Sequence, residues 1–237
     1  MEKIVYNSDF FHILKNLITV SNSVIIRKED DKVVVRRTDN EVTIAYNLKA
    51  PKEYFDFPTD NDDVTFYNYG EFYSYFTSFK KPDIYIDNMK LTLKENSSKI
   101  DYILSNPQSF EKKIPKEPNF GDSDISFNLS WQDHDEILKM IALIKPKKAR
   151  ITGNNEKISI VLFNQLHDNS FEKTFDAASV RPNEKINIDF MIFSDTFMHI
   201  PSKRSYTVNI KSAGFVKVSL IDENINLDIY TGKIKSN

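Results

Sequence analysis

Four consecutive residues, Asp133-His134-Asp135-Glu136, carry the groups from which a metal site or a general acid–base pair is built. The same run also fits the first turn of a helix, where acidic side chains meet the positive end of the backbone dipole, and that reading is adopted here. The four histidines, His12, His134, His167 and His199, are scattered, and none falls in a metal-ligand spacing. Asp60-Asn61-Asp62-Asp63 reads as a solvated turn before a strand. The five glycines are too dispersed to cradle a phosphate, and Gly232-Lys233 lacks the upstream glycine of a P-loop. With zero cysteines there is no thiolate nucleophile, no disulfide and no sulfur-ligated metal. The expectation is a protein that is not an enzyme and needs no cofactor.

What could such a chain position instead? Its 237 residues are about 40% hydrophobic and 28% charged, enough for one large or two ordinary domains. The N-terminus lacks a signal peptide's apolar segment, and no apolar run approaches the roughly 18 residues of a membrane span, so a cytoplasmic setting without membrane partners is expected. Phe10, Ile13, Leu14 and Leu17 follow the spacing of one buried helix face and predict a helix over 8–19, capped by Ser8. Phe72, Tyr75, Phe76 and Phe79 predict a second over 69–81, stopped by Pro82. Between and after them β-branched alternation predicts strands over 24–27, 33–37, 42–48, 54–57, 64–67, 84–87, 91–94 and 100–104.

From Ser105 the pattern dissolves into SNPQSFEKKIPKEPNFGDS, with Pro107, Pro115 and Pro118, which reads as an extended connection. The order then restarts with a strand over 124–129, a helix over 131–144, more strands and a short helix over 192–199 ended by Pro201. Ile13-Leu14-Lys15 matches Ile137-Leu138-Lys139 at an offset of 124, and at that offset Glu71 falls on Asp195. The chain is therefore expected to be an internal duplication in the α+β class. Two tandem domains, 1–105 and 124–237, each run β-α-β-β-β-β-α-β-β-β with the helices on one face of antiparallel sheets, joined by a linker over 106–123.

The formal net charge is −2, from 32 basic and 34 acidic residues. Counted with their exit turns, the four helices sum to +4 and the rest of the chain to −6. The basic residues cluster at helix exits: Lys80-Lys81, Lys145 to Arg150, and Lys203-Arg204. So modest a net charge argues against a lone monomer gripping nucleic acid by electrostatics.

The run FFHILKNLITVSNSVIIRKEDDKVVVRRTDNEVTIAYNL over 10–48 resembles the opening of the sliding clamps of tailed bacteriophages. These are DNA polymerase processivity factors with the PCNA-like fold. The likeness is greatest in Leu14-Lys15-Asn16-Leu17, Thr19-Val20 and Asn22-Ser23, and returns in Phe66-Tyr67-Asn68-Tyr69-Gly70-Glu71-Phe72. It implies a homotrimeric ring around double-stranded DNA, with a DNA polymerase and an ATP-driven clamp loader as partners, and about +12 around the hole from three copies of the +4 helical layer. On that reading Lys15, Lys80, Lys81, Lys139, Lys145, Lys147, Lys148, Arg150, Lys203 and Arg204 face DNA. Phe110, Ile114, Phe120, Ile229 and Tyr230 form the dock for partner peptides. Subunits join through the strands over 99–105 and 170–177, with Lys99, Asp101, Tyr102, Leu104, Phe171, Glu172, Lys173 and Phe175 at the joint. The competing readings are a monomeric polymerase accessory factor of similar fold and a β-rich structural virion protein.

Overall fold

A computed structural model describes residues 2–39, 43–58, 63–106, 119–164, 169–182 and 185–234. The chain divides into two compact units, Met1–Thr38 with Tyr46–Glu117, and Asp39–Ala45 with Pro118–Asn237.

The first unit opens with β1 (Glu2–Tyr6), helix α1 (Ser8–Leu17), β2 (Val24–Glu29), β3 (Lys32–Thr38) and β4 (Ile44–Pro51). A 3-10 turn (Lys52–Tyr54) leads to β5 (Phe55–Asp56), β6 (Asp63–Phe66), helix α2 (Tyr69–Thr77), β7 (Asp83–Asp87), β8 (Lys90–Glu95) and β9 (Ser98–Ile103). The second comprises β10 (Ile125–Leu129), helix α3 (Trp131–Ile144), β11 (Lys148–Asn154), β12 (Lys157–Phe163), β13 (Ser170–Asp176), β14 (Ser179–Val180) and β15 (Asn187–Phe193). A 3-10 helix (Ser194–His199), β16 (Tyr206–Lys211), β17 (Phe215–Leu220) and β18 (Asn226–Gly232) complete it.

The duplication extends to strand pairing. In the first unit the orders are β5-β1-β7-β8-β9 and β6-β2-β3-β4; in the second they are β14-β10-β16-β17-β18 and β15-β11-β12-β13. Each strand of one unit has its counterpart nine strands later. Even the exits agree. The Ser105 N–H, just past β9, reaches the Thr65 carbonyl of β6 at 2.9 Å, and the Ile234 N–H, just past β18, reaches Met191 of β15 at 2.8 Å.

Four elements differ from the sequence expectation at their boundaries. Asn7, rather than Ser8, caps α1, accepting the Asp9 and Phe10 N–H groups at 2.8 and 3.3 Å. The helix ends at Leu17. Helix α2 ends at Thr77, with Ser78 as its C-cap, so Pro82 lies beyond it as a start to β7 rather than as its stop. The expected fourth helix over 192–199 is only the 3-10 helix, because Ile188, Phe190 and Ile192 alternate inward as buried strand residues and hold Ile192 and Phe193 in β15. The expected strand over 54–57 is likewise reduced to Phe55–Asp56 by the preceding 3-10 turn. By contrast α3 spans the expected 131–144, with Ser130 accepting the Asp133 N–H at 3.1 Å and donating to its carboxylate at 2.6 Å.

The helices of each unit share one buried hydrogen bond. In the first, the Tyr69 hydroxyl of α2 donates to the Phe11 carbonyl of α1 at 3.1 Å, among Phe55, Phe72 and Phe76 packed edge-on around Phe11. In the second, His134 of α3 is fully buried against the Tyr206 ring, with Nε2 2.9 Å from the Phe197 carbonyl. A carbonyl only accepts, so Nε2 carries a proton, and a buried Nδ1 without a partner among the described residues favours the neutral ring. Burial pushes the His134 pKa below its ordinary 6.5, outweighing the Phe197 bond and the Asp135 charge. A depressed pKa means the unfolded chain binds the proton first, so stability held above pH 6.5 is lost as the pH falls below that value. Amide exchange in α3 and Ser194–His199 should therefore accelerate between pH 7 and 5, ahead of exchange in α1 and α2. Equal acceleration in all of these helices would remove His134 as the cause.

Candidate nucleic-acid and partner surfaces

The basic residues divide by what they touch. Lys80 and Lys81 are exposed, their backbone N–H groups held by Glu95 at 3.2 and 2.6 Å so that the exit turn of α2 is fixed while both ammonium groups reach solvent. Lys145, Lys147 and Lys148 are exposed and carry no ion pair among the described residues. Ser194 anchors their turn by donating its hydroxyl to the Pro146 carbonyl at 2.5 Å. Lys145 closes α3 in the left-handed region (φ 53°, ψ 48°), with its N–H on the Ile141 carbonyl. Lys203 is exposed, and Lys15 is half-buried with its ammonium 5.9 Å from the centre of the Tyr73 ring.

Three of the expected DNA-facing cations are otherwise engaged. Lys139 pairs with Asp135 one turn earlier at 2.7 Å, Arg150 makes a two-pronged contact with Asp189 at 2.7 Å, and Arg204 meets Asp222 at 3.3 Å. Those partners raise the Lys139 and Arg150 pKa values and cancel much of the charge each residue presents at a distance. The available positive charge therefore sits on the helix-exit turns more than on the helices. A charge count along the sequence cannot see that, because Asp189 and Asp222 are remote from their partners in the chain.

Both strands expected at the joint end their sheets: β9 follows β8 with nothing beyond it, and β13 follows β12 likewise. Their side chains fall differently from the expectation. Tyr102 and Leu104, each 6% exposed, and Phe175, stacked on Phe127 at 4.5 Å, face the chain's own core. The residue left outside on β9 is Ile103, 67% exposed, which alternation from Tyr102 and Leu104 requires. Phe171 is half-buried and Glu172 exposed. Asp101 is bonded within the chain to Thr92 and Lys99. Lys173 is bound by Asp133 and Glu136 of α3 at 2.8 and 2.7 Å, so it pins the helix to the edge strand rather than reaching outward.

Of the expected partner dock, Phe110 and Ile114 lie outside the described residues. Ile229, 1% exposed, points into the core on the face of β18 opposite Tyr230, so it belongs to the packing and not to a docking surface. Phe120 is half-buried beside Tyr230, itself only 9% exposed, ring centres 6.4 Å apart, with the Lys211 and Lys217 ammonium groups 5.3 and 5.6 Å from the Phe120 centre, so of the two Phe120 is the ring that solvent reaches. Phe215 and Lys217 share the outward face of β17; Phe215, 56% exposed, carried no sequence signal beyond being aromatic. Among the described residues no cluster of His, Asp and Glu could hold a metal ion, and no helix is long and apolar enough to cross a membrane.

Replacing Lys173 by Met tests the link between α3 and β13. The group is partly exposed, so the expected cost is small, about 1 kcal/mol or less in thermal unfolding, with faster amide exchange confined to the first turn of α3. Unchanged exchange there would show that helix packing alone holds the element.

No protein-family model and no curated protein matches the sequence. Solved structures match along the whole chain. The PCNA of A. fulgidus, solved with the C-terminal region of FEN-1 bound, aligns over 100% of both chains at TM-score 0.75 and 14% identity. The PCNA of Entamoeba histolytica aligns over 95% of both at TM-score 0.75 and 13% identity. The PCNA2-PCNA3 complex of Sulfolobus tokodaii aligns over 98% of this chain and 99% of that one at TM-score 0.74 and 13% identity. The chain has the two-domain, PCNA-like clamp fold.

Proposed function

We propose that the protein is a DNA sliding clamp of tailed-bacteriophage type, a processivity factor that closes as a homotrimer around duplex DNA and tethers a replicative polymerase. The observation that carries this reading is the match of the duplicated fold, over its whole length, to PCNA-type clamps. A ring made from one kind of chain needs a head-to-tail joint that closes, and two unpaired sheet edges are the least costly way to form one. Here β9 of one subunit pairs with β13 of the next by main-chain hydrogen bonds, and Ile103 supplies exposed apolar surface beside them. Topology then retains the DNA, so loose contacts suffice. Lys80, Lys81, Lys145, Lys147, Lys148 and Lys203 meet phosphates as mobile point charges. Segment 106–123 connects domains 1–105 and 124–237. Polymerase and an ATP-driven loader bind through short peptides over Phe120, beside the buried Tyr230. Replication by such a complex takes place in the cytoplasm, the host's if the chain is viral.

Solution mass combined with retention on circular and linear DNA is the decisive measurement. A trimer that stays on closed circles and runs off linear ends is expected; a monomer bound equally to both would support the accessory-factor reading. Ile103→Asp should lower the assembly mass with little change in the thermal stability of the subunit. Leu104→Asp and Phe175→Asp would damage the core itself and say nothing about assembly. Charge reversal at Lys145, Lys147 and Lys148 should shorten retention most at low salt, where screening is least, and leave the trimer mass unaltered. Retention indifferent to all three reversals would put the DNA path elsewhere.

A further inference from the structure

We propose that Arg37 is the centre of a binding site for a phosphate-type oxyanion. The chain has six arginines, and five hold a carboxylate: Arg27 with Asp63, Arg36 with Glu29, Arg150 with Asp189, Arg181 with Asp124 and Arg204 with Asp222. The sixth, Arg37 on β3, is only 8% exposed and has no carboxylate among the described residues. A guanidinium withdrawn from water without a counter-charge is costly, and this one is not even saturated with hydrogen bonds. Among the described residues its single polar partner is the Ser23 hydroxyl, 3.2 Å from Nη2, and its buried Nε has none.

The surroundings supply further donors rather than a missing acceptor. The Asp39 N–H reaches the Ile44 carbonyl at 3.0 Å, a register that sets Tyr46 of β4 opposite Arg37 on β3. The Tyr46 hydroxyl is also buried without a partner among the described residues. Burial raises its pKa, so it remains a neutral O–H donor, and burial lowers that of Arg37, the mark of a charge short of compensation. The Ser23 hydroxyl accepts from Nη2 and lies 3.4 Å from the Ser21 hydroxyl, a contact an incoming oxyanion would replace. A guanidinium fork beside two hydroxyls, with no carboxylate among the described residues, matches an oxyanion with several acceptor oxygens. The residual 8% exposure lies on the one residue that would have to be reached.

Inorganic phosphate is the probe, titrated against the full-length chain at pH 7, with sodium chloride at matched ionic strength as the control. The expected result is a saturable rise in the unfolding midpoint with phosphate and broadening of the phosphate 31P resonance. Arg37→Met should weaken phosphate binding at least about tenfold, as loss of a charge-assisted, two-pronged contact implies. Ser23→Ala, which leaves the guanidinium in place, should weaken it less and serves as the second variant should Arg37→Met fold poorly. Adding a short duplex separates the sources. Competition with phosphate assigns the site to the DNA backbone, and lack of competition assigns it to free phosphate; both outcomes uphold an oxyanion site at Arg37. A midpoint that phosphate moves no more than chloride does, or equal phosphate binding by the wild type and both variants, would overturn it.

Discussion

An open antiparallel sheet must end somewhere, and its last strand leaves a row of backbone donors and acceptors unpaired. Where this chain's sheets end therefore constrains what the molecule can become. At β9 and β13 the edges are neither short nor charged across their whole length, the usual devices against unwanted pairing. At two other sheet ends the Ser105 N–H covers β6 and the Ile234 N–H covers β15, each with one bond from the segment just past the last strand of its unit. Among the described residues β9 and β13 carry no such cover.

The same division explains the charge pattern. A near-neutral chain with basic helix exits could owe its lysines to ordinary solvation or to the negative ends of helix dipoles. Ion pairing settles much of that question residue by residue. Lys139, Arg150, Arg204 and Lys173 are taken up by carboxylates and act within the fold. Lys145, Lys147 and Lys148 stand on a turn whose backbone is fixed by Ser194 and Pro146, but their side chains are left to solvent. Mobile ammonium groups on a rigid turn suit contacts that must form and break without a fixed register.

How far the sequence carried this depended on the range of the interaction. Helix α3 was legible to the residue, because its cap, Ser130 with Asp133, and its apolar period are both local. The duplication was legible because an offset is a property of the whole chain. The short helix at Ser194–His199 was misjudged because Ile192 and Phe193 serve a strand period and a helix period equally well over so few residues. The strands expected at the joint do end their sheets, but their inward face was taken for the outward one. Tyr102 and Leu104 alternate correctly, yet alternation alone does not say which side is wet. The pairing of Arg150 with Asp189, and the absence of any such partner for Arg37, depend on strand register and have no trace in composition.

The two units also show what duplication conserves when composition drifts. Tyr69 and His134 occupy different positions in their repeats, one on the second helix and one on the first, and point in opposite senses between the paired elements. Each nevertheless delivers one buried donor to one helical carbonyl, Phe11 in one unit and Phe197 in the other. The constraint is physical: two short elements packed on the same sheet need a bond between them that water cannot replace, and a ring bearing a single polar hydrogen provides it with little side-chain entropy to lose. Phenol and imidazole both meet that need, and only the imidazole titrates near neutral pH. Burial lowers the His134 pKa, so the bond in the second unit carries a pH dependence near neutrality that the Tyr69 bond does not.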